Sequence, residues 1–168
     1  DGLFTLSGKL AEPGYYTLVV AGVKFPIVLD GKQMTLYGDY LEPETKLLKG
    51  SPAVKTRLTL DELYFETFDM LVNEALNKYY QMTENGQKQS DEADEFIGKA
   101  IQDAGRNWRM HFLEFVKEHP DDLYIPVRIM KEMGKNIEWG KEVYDLLTPE
   151  IQASQPGRLL KRNLEFKI

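Results

Sequence analysis

Cysteine is absent from the 168 residues, and histidine occurs twice. The first absence excludes disulfides, thiol nucleophiles, zinc–thiolate sites and iron–sulfur clusters within this chain. It does not select a compartment, because reducing and oxidising locations both tolerate it. The two imidazoles, His111 and His119, are too far apart for one metal ion. On a shared helix they would be separated by about 12 Å along the axis, and a metal needs converging ligands. Basic residues are outnumbered: 21 Lys and Arg face 27 Asp and Glu, for a net charge of −6 and a pI near 5.1. A general nucleic-acid binder releases phosphate counterions with a basic surface, so no nucleic-acid partner is expected. Long apolar runs are missing too. Thr17–Ala21 is typical of the longest, far below the ~20 residues of a membrane-spanning helix. The chain opens on Asp1-Gly2-Leu3-Phe4 without a basic, Met-led leader, so no signal peptide is expected in it, and a mature or excised piece whose signal has been removed fits that start as well. Phosphate-loop, dinucleotide-binding and nucleophile-elbow glycine motifs do not occur.

What is present is enough to fold. The chain is 42% hydrophobic, which offsets chain entropy and argues against disorder. Residues 1–50 read as an antiparallel β region. Leu3–Ser7 is short and β-prone. Tyr15–Ala21 is aromatic and β-branched, which suits a half-buried pleated surface. In Val23–Leu29, Phe25, Ile27 and Leu29 alternate onto one face, while Pro26 marks an edge or a bulge. Asp30-Gly31 is a hairpin signal, and Met34 and Leu36 continue the alternation to Tyr37. Four strands at this spacing predict an antiparallel meander.

From Gly50 the period becomes helical, so residues 51–168 read as a helical region. Ser51-Pro52 is a helix start. Val54, Leu58, Phe65, Phe68, Val72, Ala75 and Tyr79 recur on one stripe, widened by Tyr64, Leu71 and Met82. Glu84–Ser90 is a polar loop. Ser90 or Asp91 caps a second helix with Ile97, Ile101, Ala104, Trp108, Phe112 and Phe115 on its stripe, and Pro120 stops it. Residues 52–119 thus predict a long helical hairpin in which Trp108, Phe112 and Phe115 pack against Phe65, Phe68 and Val72. Short helices follow over 121–168: one capped by Asp121 or Asp122 and ended by Gly134, one over Asn136–Leu147, one from Thr148-Pro149, and a basic amphipathic helix with Leu159, Leu160 and Leu164. The fold class expected is α+β: a small N-terminal antiparallel sheet, a long helical hairpin and several short helices.

Two constellations invite a chemical reading. Glu118-His119-Pro120-Asp121-Asp122 brings acids and an imidazole together, as a small hydrolase around His119 and Asp121 would require. Helix capping accounts for the same residues, with Asp121 and Asp122 at a helix start and His119 at a helix end, and is the simpler account. The tyrosines Tyr15, Tyr16, Tyr37 and Tyr40 offer a ligand or partner surface on the sheet, and adjacent pairs such as Tyr15-Tyr16 and Tyr79-Tyr80 should each leave one ring exposed. No catalytic, cofactor or metal-binding residue is assigned.

Several spaced patterns occur together. They are Asp1-Gly2-x-Phe4-x-x-x-Gly8, Pro13-x-x-Tyr16-x-Leu18, Leu48-x-Gly50-Ser51 before a long helix, and Phe115-Val116-x-x-His119-Pro120-Asp121. Tyr144-x-Leu146-Leu147-x-Pro149-Glu150-Ile151-Gln152-x-Ser154 and Gly157-x-x-Leu160 complete the set. Together they resemble the N-terminal domain of unknown function and helical linker that precede the thioredoxin-like domain in periplasmic thiol–disulfide oxidoreductases of the AhpC/TSA and TlpA/ResA type. In that family further strands precede the Asp-Gly-x-Phe pattern, which implies a β region truncated at its N-terminus, with a sheet edge open to a homodimer. The family continues into a thioredoxin fold with Cys-x-x-Cys; with no cysteine here, no redox residue carries over. The resemblance implies a non-catalytic accessory or protein-interaction module of the periplasm or cell envelope. Its partners would be a thioredoxin-like domain in cis and other envelope proteins, with no cofactor.

Overall fold

The structure, a computed structural model, describes residues 5–20, 22–37, 47–86, 88 and 90–166. It is α+β: among the described residues four short strands come first and helices follow. Strands β1 (Gly14–Val20) and β2 (Val23–Leu29) form an antiparallel pair in which Val20 faces Val23 and Gly14 faces Leu29. Strands β3 (Thr35–Tyr37) and β4 (Leu47–Lys49) form a second antiparallel pair.

The expected four-stranded meander is therefore two separate two-stranded ladders among the described residues. Asp30-Gly31 does turn the chain: Gly31 has φ +80° and the Asp30 carboxylate accepts the Lys32 amide at 3.0 Å. It does not close a hairpin, because β3 takes β4 as its partner instead of β2. The Leu3–Ser7 strand fails over Thr5–Ser7, which form no ladder; its remaining residues lie outside the described ones.

The chain divides into two compact units, one of residues 1–56 with 120–168 and one of residues 57–119. In the first, Phe25 and Ile27 of β2 and Val54 are buried together, with Tyr16, Leu18, Val20, Val23, Leu29 and Met34 packed around them. Helices α4 (Ile125–Glu132), α5 (Ile137–Leu146), α6 (Pro149–Ala153) and α7 (Gln155–Phe166) belong to the same unit. α7 touches α4, α5, α6 and β1, so it is the element the others gather around. Gly157 is required there: a Cβ would come within 2.0 Å of the Ile151 carbonyl oxygen. That close approach lets α7 turn directly out of α6 and bury Leu160 completely.

Caps follow the expected residues at several ends. Ser51 Oγ accepts from Val54, Ser90 Oγ from Ala93 and Thr148 Oγ1 from Ile151. The first hairpin arm is α1 (Pro52–Tyr64), a π-helical turn (Phe65–Asp69) and α2 (Met70–Met82); the second is α3 (Asp91–Glu118). Within the 57–119 unit, both the π turn and α2 pack on α3.

Packing inside this unit corrects the expected stripe. Trp108 is buried at 3% exposure and Phe112 completely. The ring that meets Trp108 edge-on is Tyr64, at 5.1 Å between centroids, and Tyr64 also stacks on Phe68 at 5.0 Å. Phe65 instead stands 53% exposed, and Leu58 and Ile101 are also exposed. Phe115 is half-buried, while Val116 takes the buried place next to it. In the first arm the cause is the π turn. Met70 N–H donates to the Phe65 carbonyl, five residues back, so the helix carries one residue more per turn than the α period allows. Two polar side chains bind carbonyls in and beside it: Thr67 Oγ1 donates to Leu63 O at 2.6 Å and Asn107 Nδ2 to Thr67 O at 3.0 Å.

Candidate interaction surface

Where the helix widens, it turns large apolar side chains to solvent. Leu58 and Phe65 are seven residues apart, two α-turns and so one face. Met70 follows Phe65 by the five residues of the π hydrogen bond, which keeps it in the same row. Leu71 flanks it, and all four are exposed. Exposed carboxylates interleave with the row: Asp61, Glu62 and Glu66, with Asp69 half-buried beside them. Arg57 Nε lies 3.9 Å from Asp61 Oδ2, a long contact at the limit of an ion pair. The result is an apolar ridge with an acidic rim. Single exposed apolar residues need no explanation, but a row of them on one helix face is a candidate contact surface.

The chemistry-bearing residues singled out from sequence fall elsewhere. Tyr15 and Tyr16 are both half-buried, on opposite faces of β1, so neither is the exposed ring expected of the pair. Tyr16 packs against the Phe25–Ile27–Val54 core and donates its hydroxyl to Glu12 O at 2.7 Å. Tyr37 lies in β3, the other ladder, and Tyr40 lies outside the described residues. Of the other pair, Tyr80 is exposed and Tyr79 half-buried.

His119 is the C-terminal cap residue of α3, its amide donating to Phe115 O and Val116 O, its ring 4.5 Å from that of Phe115. The acid that acts ahead of α4 is Asp122: Oδ1 accepts the Tyr124 amide at 2.8 Å and Oδ2 accepts the Thr56 hydroxyl. Tyr124, not an aspartate, is the N-cap of α4. Asp121 is exposed. Among the described residues no group of three His, Asp or Glu converges as a metal would need, and no helix is long and apolar enough to cross a membrane.

The spaced patterns of the C-terminal region do structural work. Gln152 Nε2 donates to Tyr144 O at 2.9 Å and Leu147 O at 3.2 Å, and Ser154 Oγ donates to Ile151 O at 2.6 Å. These bonds reinforce helix ends: Tyr144 O also accepts the Leu147 amide, and Ile151 O the Ser154 amide. The apolar ridge was missed in the sequence because Leu58 and Phe65 match the buried stripe at an uninterrupted 3.6 period. The signal that could have found it is Thr67, a polar residue at an otherwise buried position. No family model, curated protein or solved structure matches the chain.

Proposed function

We propose that this chain is a non-catalytic protein-interaction module that docks through the Leu58–Phe65–Met70 ridge. The observation that carries the reading is the π turn, which presents these side chains to solvent while Tyr64, Phe68 and Trp108 pack together. The acidic rim specifies the chemistry of the partner: an apolar patch bordered by Lys or Arg, so that opposite charges steer encounter. In line with the resemblance drawn above, the partner class is a thioredoxin-like domain of a thiol–disulfide oxidoreductase in the bacterial envelope. The module would change which proteins that domain reduces, or how tightly it holds them.

The test uses a purified thioredoxin-like domain carrying Cys-x-x-Cys as probe, in titration calorimetry and in insulin reduction. Binding by the wild-type chain and its loss in Phe65→Glu, with unchanged circular dichroism, supports the reading. Equal binding by both overturns the ridge, and no binding by either overturns the partner class. Ester or phosphate turnover by the chain alone, abolished in His119→Ala or Asp121→Asn with the fold retained, would establish the hydrolase instead.

A further inference from the structure

We infer that the outer edge of β1 pairs with β1 of a second copy of this chain, antiparallel and centred on Leu18. Three observations fix which way the β1 backbone faces. The connection between Val20 and Val23 is two residues long, so these closing residues form a hydrogen-bonded pair, and the pattern alternates from there. Thr17 therefore sits opposite Pro26 at a non-bonded pair, as it must, because Pro26 has no N–H to give. Tyr15, two residues before Thr17, sends both backbone groups away from β2: its amide donates to Gln155 Oε1 at 2.7 Å and its carbonyl accepts from Gln155 Nε2 at 3.1 Å. Thr17 and Val19 share that parity, so their N–H and C=O groups point outward beside the Gln155 contact. Among the described residues none bonds to them, and Val19 is 57% exposed.

The two edges of the hairpin are unlike. The outer edge of β2 carries Lys24 and Pro26, which block strand addition by charge and by a missing donor. That of β1 carries only uncharged, β-branched Thr17 and Val19 next to Gln155. This arrangement is self-complementary. With a two-fold axis at Leu18, Thr17 faces Val19 of the second copy and each such pair exchanges two hydrogen bonds. Tyr15, already satisfied by Gln155, limits pairing to this short stretch, so the dimer is weak and concentration-dependent. The inference is independent of the helical ridge.

Sedimentation velocity over a concentration series, with amide exchange read residue by residue by NMR, tests it. The wild-type chain should shift toward a dimer as concentration rises, with exchange slowing at Thr17 and Val19. Val19→Pro removes the outward N–H while leaving the β1–β2 bonds intact, as Pro26 does on β2, and should abolish the shift. Val19→Thr keeps the donor and should retain it. A wild-type chain that stays monomeric, or a dimer that survives Val19→Pro, overturns the proposal. In the second case, loss of the dimer in Phe65→Glu would place self-association on the helical ridge.

Discussion

Gln155 acts as a one-residue strand. Its amide gives Tyr15 the acceptor and donor that a neighbouring strand would supply, across 140 residues of sequence. Gly14 makes room for it, since a Cβ there would lie 2.6 Å from Oε1. Gln155→Ala should lower unfolding free energy by about 1–3 kcal/mol, the cost of stranding half-buried backbone groups. Gln155→Glu separates the two bonds. A carboxylate still accepts from the Tyr15 amide but faces the Tyr15 carbonyl with a second lone pair. Urea midpoints should therefore fall further in Gln155→Glu than in Gln155→Ala at pH 7. The gap should narrow below the ordinary glutamate pKa of about 4.3, where a protonated carboxyl can donate. None of this is legible in sequence: a glutamine between Ser154 and Pro156 carries no mark of a partner near the other end of the chain. The local caps were legible because Ser51, Ser90 and Thr148 each bind an amide three residues ahead.

At the scale of elements, a single residue decides the hairpin. Read at a constant 3.6 period, the first arm puts Phe65 in the core; with the π turn inserted, Tyr64 and Phe68 occupy it and Phe65 leaves. Helix existence, the polar loop and the stop at Pro120 were legible because each rests on neighbouring residues. The π turn was not, since Asn107, which donates to Thr67 O, comes from the other arm. The arms are also joined at their loop end, where the Tyr79 hydroxyl donates to Asp94 Oδ1 at 3.0 Å. The hydrogen bond to this carboxylate, and its negative charge, raise the Tyr79 pKa above its ordinary value. The contact holds the neutral phenol. Its contribution is complete below the ordinary phenol pKa of about 10 and is lost as pH rises through the raised one. In a tyrosine-labelled NMR titration, Asp94→Asn should move the Tyr79 step back toward lower pH. An unmoved step would remove the carboxylate as its cause.

Across the whole molecule, each compact unit holds one of the two tryptophans, Trp108 in 57–119 and Trp139 in the other. Both are buried, so Trp139→Phe and Trp108→Phe variants report the units one at a time. The unit of residues 57–119 is a helical hairpin that leaves Phe65, Met70 and Met110 exposed, and should unfold at the lower urea concentration. Coincident midpoints would show one cooperative transition instead. Composition and period indicated the α+β class; the pairing of the N-terminal hairpin with the last helix was hidden, because nothing local connects them.

That closure has a consequence for the order of synthesis. A ribosome adding about 5–20 residues per second makes Tyr15 roughly 7–28 s before Gln155. Throughout that interval the nascent hairpin can form from β1 and β2 alone, but its β1 edge is unguarded along its full length. A ribosome-stalled chain ending before Gln155 should then be a better substrate for strand-capturing chaperones than one stalled far enough beyond it for α7 to emerge. The arrival of a single glutamine would then shorten the edge open to such chaperones to Thr17 and Val19.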